Sequence, residues 1–478
     1  MLQQEPWADY IIESLPFTPN NEQESFAYLF EEFMTSHKQI FVLKGYAGTG
    51  KTSIISAIVK SSKMLKRKTF LMAPTGRAAK VLANYSNQKA FTIHKTIYKL
   101  QTNITGISSI SLSKNKSQNT LFIIDEASMI PEYNMETNLF GDRNLLADLF
   151  HYVNQGKNCK ILFVGDTAQL PPVGINLSPA LDLQGLEYNF NVPVMSFELK
   201  SVMRQALESG ILWNATKIRE KIENDYYDPP YFFTQNYHDF EKSPGGWELQ
   251  EELSTALNYN GTDQAIIICR SNKRANIYNR EIRNRILMRE EEIEGGDMLM
   301  VVKNNYYWLP ETEGSGFIAN GDLIEVLRVR KTEEIYGFRF ADINIRLSDS
   351  DYEKELDVKI ILNSIEIEAS SLPWSDQEKL WNNIMIDYQH LSTKRKQVEA
   401  VKNDPYYNAL QIKYAYALTC HKTQGGQWPQ VFIDQGYITD EMIDAEYLRW
   451  LYTAITRAQE KVSLVGFRND FFHNEEYE

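Results

Sequence analysis

Short apolar runs alternate with amphipathic stretches through the first 200 residues, and turn-forming residues punctuate them. Phe41-Val42-Leu43 leads into a glycine-rich turn and then into Ser53-Ile54-Ile55-Ser56-Ala57-Ile58-Val59, whose spacing predicts a helix. Thr69 to Ala73 is a second short run, ending at Pro74, where another helix begins. Leu121 to Ile124 and Ile161 to Val164 are continuously apolar, as strands covered on both faces are. Upstream, Phe26, Leu29, Phe30 and Phe33 predict a helix, with Thr18 or Asn20 as its cap and Gln23 as a solvated first-turn residue. Strands alternating with helices in this way predict a doubly wound parallel sheet. Residues 101–119 are polar, rich in serine and asparagine, and read as a small excursion from that sheet.

A second α/β pattern follows residue 200. Ala265 to Cys269 has the composition of a buried strand, and a basic helix begins at Ser271 with Lys273, Arg274, Arg280, Arg283 and Arg285. Between about 296 and 370, period-two alternation and the Asn320-Gly321 turn predict a small β-barrel. Residues 371–409 are helical and charged. Strands at Tyr416 to Thr419 and Gln430 to Ile433 then return to α/β, followed by a helix carrying Tyr452 to Arg457. The barrel is therefore expected as an insertion into a second sheet domain. The expected boundaries are 1–200 for the first domain, with a small insertion at about 92–119, and 201–478 for the second, with barrel and helices inserted at about 296–409.

The turn after Phe41-Val42-Leu43 brings in chemistry. Gly45-x-x-x-x-Gly50-Lys51-Thr52 between a strand and a helix is the context a phosphate-binding loop requires. Its glycines let backbone N–H groups converge on an anion, and the helix N-terminus adds its positive end. Gly45, Ala47, Gly48, Thr49, Gly50, Lys51, Thr52 and Ser53 are the candidate contacts to a nucleoside triphosphate, with Thr52 also on magnesium. A plain glycine turn before a helix is the alternative, and the complete motif in its proper context disfavours it. Asp125 and Glu126 close the apolar run at Ile124, at the strand end where open α/β sheets bind ligands. Asp125 is thus expected on magnesium and Glu126 on the attacking water, against the simpler role of helix cap.

Composition narrows the class. At 43% hydrophobic and 24% charged, 478 residues suit a globular protein of several domains. A net charge of −13 argues against indiscriminate polyanion binding but leaves room for a narrow basic channel. Cys159, Cys269 and Cys420 are far apart in apolar segments, which suits reduced core thiols in cytosol rather than disulfides. No zinc spacing and no membrane-length apolar run is present, so neither zinc nor a membrane is expected.

Taken in order, these residues resemble the superfamily-one DNA helicases of the RecD/Dda type, the 5′-to-3′ branch, over roughly residues 17 to 468. Gln23 stands where the family reads adenine. Pro74-Thr75-Gly76-Arg77 and Thr92-Ile93-His94-Lys95 resemble its first two DNA-contacting motifs, the second of which opens a pin. Asp125-Glu126-Ala127-Ser128 is similar to its magnesium and general-base motif. Gly165 to Pro172 resembles the loop in which Gln169 senses the outermost phosphate. Val202-Met203-Arg204-Gln205 and Leu451 to Ala458 resemble the motifs supplying γ-phosphate arginines, here Arg204 and Arg457. Thr419-Cys420-His421-Lys422-Thr423-Gln424-Gly425 resembles the DNA- and nucleotide-contacting motif of the second domain. Many relatives carry glutamate where Gln427 stands, at a position that meets the nucleotide sugar, and the pin region has few aromatics beyond Tyr98.

The resemblance implies two RecA-like parallel-sheet domains with a small pin and an SH3-like barrel inserted. It also implies ATP and Mg2+ as cofactors and single-stranded and tailed duplex DNA as partners. A cytoplasmic monomeric motor, working beside replication, repair or recombination proteins, is the corresponding expectation. Thr75, Thr92 and Thr423 are expected at helix starts, where hydroxyls and N–H groups grip phosphates without reading bases. A threonine in such a place is more often a cap, and a histidine more often structural, but His94 and His421 both sit in these motifs beside a lysine. The alternatives are an RNA or RNA–DNA translocase, a nucleic-acid-binding module without hydrolysis, and a P-loop kinase or metabolic ATPase. Lys51, Glu126, Arg204 and Arg457 speak against the second, and the paired arginines and second sheet against the third.

Overall fold

In the computed structural model, which describes residues 6–102, 108–131, 143–202, 209–235, 237–259, 261–309, 318–347 and 355–472, the early apolar runs form a six-stranded parallel sheet. Its strands are β1 (Ile40–Gly45), β2 (Lys68–Ala73) and β3 (Ala90–Thr92), then β6 (Thr120–Ile124), β7 (Lys160–Gly165) and β8 (Val194–Leu199). Between β3 and β6 the chain makes a two-stranded ribbon, β4 (Tyr98–Thr102) and β5 (Ser108–Leu112), where the polar excursion was expected. The strand order is β3-β2-β6-β7-β1-β8. Successive β1 residues serve opposite faces, as a pleated strand requires. Phe41 and Leu43 pack with α1 (Trp7–Glu13), α2 (Asn21–Thr35), α3 (Lys51–Met64) and α4 (Gly76–Ser86). Ile40 and Val42 pack with α5 (Ile93–Ile97), α6 (Leu145–Asn154) and α7 (Leu183–Phe190). Both faces of the sheet centre are covered, which is why Ile40 to Leu43, Leu121 to Ile124 and Ile161 to Val164 are continuously apolar.

Asn20, rather than Thr18, caps α2. Its carboxamide oxygen accepts from Gln23 N at 2.9 Å while Gln23 Oε1 accepts from Asn20 N at 3.1 Å, a reciprocal capping box. Gln23 is therefore buried, not solvated. The first unit continues through α8 (Gly210–Glu223).

A second compact unit holds most residues from 231 to 440 and those from 457 onward. Its strand β9 (Phe240–Lys242), helix α9 (Gly246–Tyr259), strand β10 (Ala265–Cys269) and helix α10 (Asn272–Glu281) precede the barrel. The barrel strands are β11 (Met298–Val301), β12 (Leu323–Ile335), β13 (Phe338–Leu347) and β14 (Glu355–Ile361), followed by α11 (Trp374–Asp387) and α12 (Lys394–Lys402). Strand β15 (Leu410–Tyr414) then closes the barrel, pairing parallel to β14 and antiparallel to β11. The period-two stretch ending near 370 thus lacks one barrel strand, which lies beyond the helices. The unit's parallel sheet is completed by β16 (Ala417–Thr419), β17 (Trp428–Asp434) and β18 (Ala458–Val465), with helix α13 (Cys420–Thr423) after β16, in the order β16-β10-β17-β18-β9. Helix α14 (Ala445–Ile455), between β17 and β18, clusters with the first unit. It ends at Ile455 with Thr456 as its C-cap, so Arg457 is not on the helix as the sequence pattern suggested. The three cysteines are buried and free. Among the described residues no helix is long and apolar enough to cross a membrane.

A buried charge cluster ties the barrel to the sheet of the second unit. Asp297 is inaccessible to solvent and accepts from Arg283 Nε at 2.9 Å, Arg283 Nη2 at 3.0 Å, the Tyr416 hydroxyl at 3.0 Å and Arg289. Removing the carboxylate leaves two guanidinium groups without their counter-charge, which typically costs about 3–5 kcal/mol. Asp297→Ala is expected to lower unfolding free energy by about 3 kcal/mol or more in urea titration.

Candidate active site

The first unit gathers its chemistry at the carboxyl ends of β1, β6 and β7. After β1 the backbone turns through left-handed conformations at Gly48 (φ 76°) and Gly50 (φ 89°), which L side chains rarely adopt. Space requires glycine as well. A Cβ on Gly50 would stand 2.7 Å from Gln23 Nε2, and one on Gly45 would stand 2.9 Å from Thr49 Oγ1. The Gln23 amide donates to Thr49 O at 3.2 Å, so the cap of α2 also braces the loop. Lys51 opens α3 and donates to Gly45 O at 2.7 Å and Tyr46 O at 2.9 Å, with Asp166 Oδ2 at 3.8 Å. Thr52 and Ser53 follow on the first turn of that helix, with Thr52 exposed.

Asp125 directly follows β6. Its Oδ1 accepts from Glu126 N at 2.9 Å and its Oδ2 from the Tyr85 hydroxyl. Burial raises the Asp125 carboxyl above the ordinary range, and these two donors and the Lys51 charge oppose that rise. Glu126 sits in the left-handed region (φ 52°) before a short 3₁₀ turn and gives it no side-chain cap. The capping role is thereby excluded for Glu126. Such a backbone conformation in a non-glycine residue is uncommon and concentrates at functional positions.

Asp166, directly after β7 in the Gly165 to Pro172 loop, is a site residue that the sequence alone did not single out. It is buried, its Oδ1 accepts from Ala168 N at 2.9 Å, and its Oδ2 accepts from the Tyr452 hydroxyl at 2.7 Å. That hydroxyl in turn accepts from Ala47 N of the phosphate loop at 2.8 Å. Helix α14 is held to the β7 turn twice more, through Thr453 Oγ1, which accepts from Leu170 N at 2.8 Å, and through Arg449, which donates to Thr167 O. Burial, and then the Asp166 charge, push the Tyr452 hydroxyl well above its usual range, so it remains a donor. Gln169 is buried, and its Oε1 meets no hydrogen-bond donor among the described residues.

The remaining candidates divide between the units. Thr75 caps α4 by accepting from Ala78 N at 3.2 Å, and Thr92 caps α5 by accepting from Lys95 N at 3.2 Å. Pro74 and Gly76 flank that first cap, and Arg77 is buried. The His94 ring lies 5.9 Å from that of Tyr98, and Lys95 Nζ lies 5.9 Å from the Phe91 ring centre. In the second unit Thr419 precedes α13, with His421 and Lys422 half-buried on it. Thr423 is not at a helix start. It is the last residue of α13, inaccessible to solvent, and its hydroxyl donates to Cys420 O at 2.8 Å. Arg457 is buried and donates to Gly426 O at 3.3 Å, while the exposed Gln427 accepts from Gln459 at 3.3 Å. Arg204 lies outside the described residues.

An AAA domain family model matches residues 19–221, and a UvrD-like helicase C-terminal domain model matches residues 414–465. The ATP-dependent RecD2 DNA helicase of Deinococcus radiodurans is 30% identical over 177 residues, 36% of this chain and 21% of that protein. The two domain matches and this relative make the chain similar to the RecD-like superfamily-one helicases. An uncharacterized protein of Acanthamoeba polyphaga mimivirus is 26% identical over 93% of this helicase and 99% of its own length. An uncharacterized Methanocaldococcus jannaschii protein is 23% identical, with 89% of the helicase matching 36% of it. Among solved structures, a Bacteroides Pif1 helicase in complex with ADP-AlF3 and single-stranded DNA is similar at 16% identity and a TM-score of 0.49, with 96% of each chain covered.

The helicase is an ATP-dependent P-loop enzyme, and its phosphate loop is braced from two sides, by Gln23 and by Tyr452. Tyr452→Phe keeps the ring and removes one donor to Asp166 and one acceptor for Ala47 N. Loss of a hydrogen bond to a buried charge is expected to lower stability by about 1.5–3 kcal/mol. Urea unfolding checks it, and a change below about 0.5 kcal/mol would show that Asp166 does not depend on this hydroxyl.

Proposed function

We propose that this helicase translocates on single-stranded DNA in the 5′-to-3′ direction and unwinds tailed duplexes at the expense of ATP. The observation that carries this reading is a shared sheet edge. In the first unit, Lys51, Asp125, Asp166 and Gln169 and the helix starts at Thr75 and Thr92 all follow carboxyl ends of strands in one parallel sheet. ATP chemistry and sequence-independent phosphate grip are thereby built on the same rigid element. The name of the Deinococcus relative supports DNA as the strand.

The oxygen donors Thr52 and Asp125 suit a magnesium ion, a hard cation that takes hydroxyl and carboxylate ligands beside phosphates. When bound, that ion neutralises phosphate charge. In the proposed roles Lys51 leaves its own loop carbonyls for the outer phosphates, Glu126 orients the attacking water and takes its proton, and Gln169 senses the outermost phosphate. Arg204 and Arg457 are the proposed sensors of the transferring phosphoryl group, with Gln427 on the nucleotide sugar. Pro74 to Arg77, Thr92, His94, Lys95, Thr419, His421 and Lys422 are proposed along the strand path; Thr423 supports that turn from within.

ATPase assays with single-stranded DNA and with RNA test the reading. Strong stimulation by DNA alone, with unwinding of 5′-tailed but not 3′-tailed duplexes, is the expected outcome. Equal stimulation by RNA would replace it with a broader translocase, and indifference to both would overturn it. Lys51→Ala is expected to abolish hydrolysis, whereas Arg457→Ala keeps ATP binding and loses about 10³-fold in turnover.

A further inference from the structure

We infer that Tyr85 is a positioning residue for the metal-binding carboxylate Asp125, a role resting on the assignment of Thr52 and Asp125 to magnesium. Tyr85 lies in the last turn of α4, and its hydroxyl donates to Asp125 Oδ2. Its backbone carbonyl accepts from Ser56 Oγ at 3.0 Å. Ser56 is four residues after Thr52 on α3, so the two share one face of that helix. One tyrosine therefore spans the two elements that carry the proposed ligands. Its carbonyl is fixed to the helix of Thr52, and its hydroxyl to the strand end of Asp125.

The arrangement leaves room for the ion. A carboxylate offers about four lone-pair directions. Tyr85 takes one on Oδ2 and Glu126 N takes one on Oδ1. Each oxygen keeps a direction for the ion or for its bound water. Such outer partners orient a ligating carboxylate, and losing one typically weakens metal affinity 10–100-fold. The carbonyl bond to Ser56 survives substitution of the side chain, so the hydroxyl can be tested alone.

The experiment is a Mn2+ titration followed by electron paramagnetic resonance on the full chain with saturating ADP, comparing wild type, Tyr85→Phe and Asp125→Asn. Tyr85→Phe is expected to weaken Mn2+ binding about tenfold, and the Mg2+ concentration for half-maximal ATPase should rise in parallel while kcat recovers at high Mg2+. Unchanged Mn2+ affinity in Tyr85→Phe, with Asp125→Asn impaired, would overturn the role of Tyr85 and leave Asp125 as a ligand. Unchanged affinity in Asp125→Asn would overturn the metal assignment itself, and with it the role of Tyr85. A fall in melting temperature of Tyr85→Phe without a change in Mn2+ affinity would mark the hydroxyl as structural only and overturn the inference.

Discussion

A parallel sheet delivers every strand's carboxyl end to one edge, and this helicase depends on that constraint more than on any single bond. Strands β1, β2, β3, β6 and β7 end at Gly45, Ala73, Thr92, Ile124 and Gly165. At or just after these ends stand the phosphate loop, the helix caps Thr75 and Thr92, the Asp125-Glu126 pair and Asp166. Nothing local brings Lys51 within 3.8 Å of Asp166, 115 positions away; the parallel pairing of β1 with β7 does so, with Lys44 beside Gly165. The second unit repeats the plan, with β16 ending at Thr419 before the short helix of His421 and Lys422. Helix N-termini and strand ends then supply partial charges at that edge without any need for a basic surface. A chain of net charge −13 can in this way carry an anion-binding edge.

What the sequence disclosed follows from the range of the forces involved. Continuous apolar runs reveal buried strands because burial on both faces is a local demand, and β1, β2, β6, β7, β10 and β17 were all legible so. The phosphate loop was legible because its glycines answer to steric limits within a few residues. The closure of the barrel was not. Strand β15 is separated from β14 by two helices, and its alternation reads as part of the sheet that follows. Nor does amphipathicity tell which neighbour an apolar face will meet, so the membership of α14 in the first unit was hidden. The end of that helix was misplaced for a smaller reason. The residues after Ile455 remain compatible with a helix, and Thr456 ends it only as the chain turns into β18.

Candidate side chains divided along the same line. Thr75 and Thr92 stand at helix starts because a threonine before a helix has a local partner three residues on. Thr423 looked alike in sequence, yet the four-residue helix begins after Thr419, which leaves Thr423 at its end, with its hydroxyl turned back onto Cys420. Gln23 is bonded twice to Asn20 in the capping box and also reaches the distant Thr49 O, and only the local kind could have been foreseen.

Tyrosines carry the part of the site that sequence could not show. Tyr452 and Tyr85 each sit on a helix among apolar residues, where a tyrosine reads as core filling with a polar tip. Their rings do fill core, but their hydroxyls reach carboxylates 286 and 40 positions away, Asp166 and Asp125. Both carboxylates are acceptors with a second donor already supplied by a nearby backbone N–H, Ala168 for one and Glu126 for the other. The sequence could supply that local half, since a residue just past a strand end turns its side chain onto the next amide. The distant half fixes direction. A carboxylate held by one donor can rotate about it, whereas two donors on different elements define its plane, and a site that must place charge to within a fraction of an ångström requires the second.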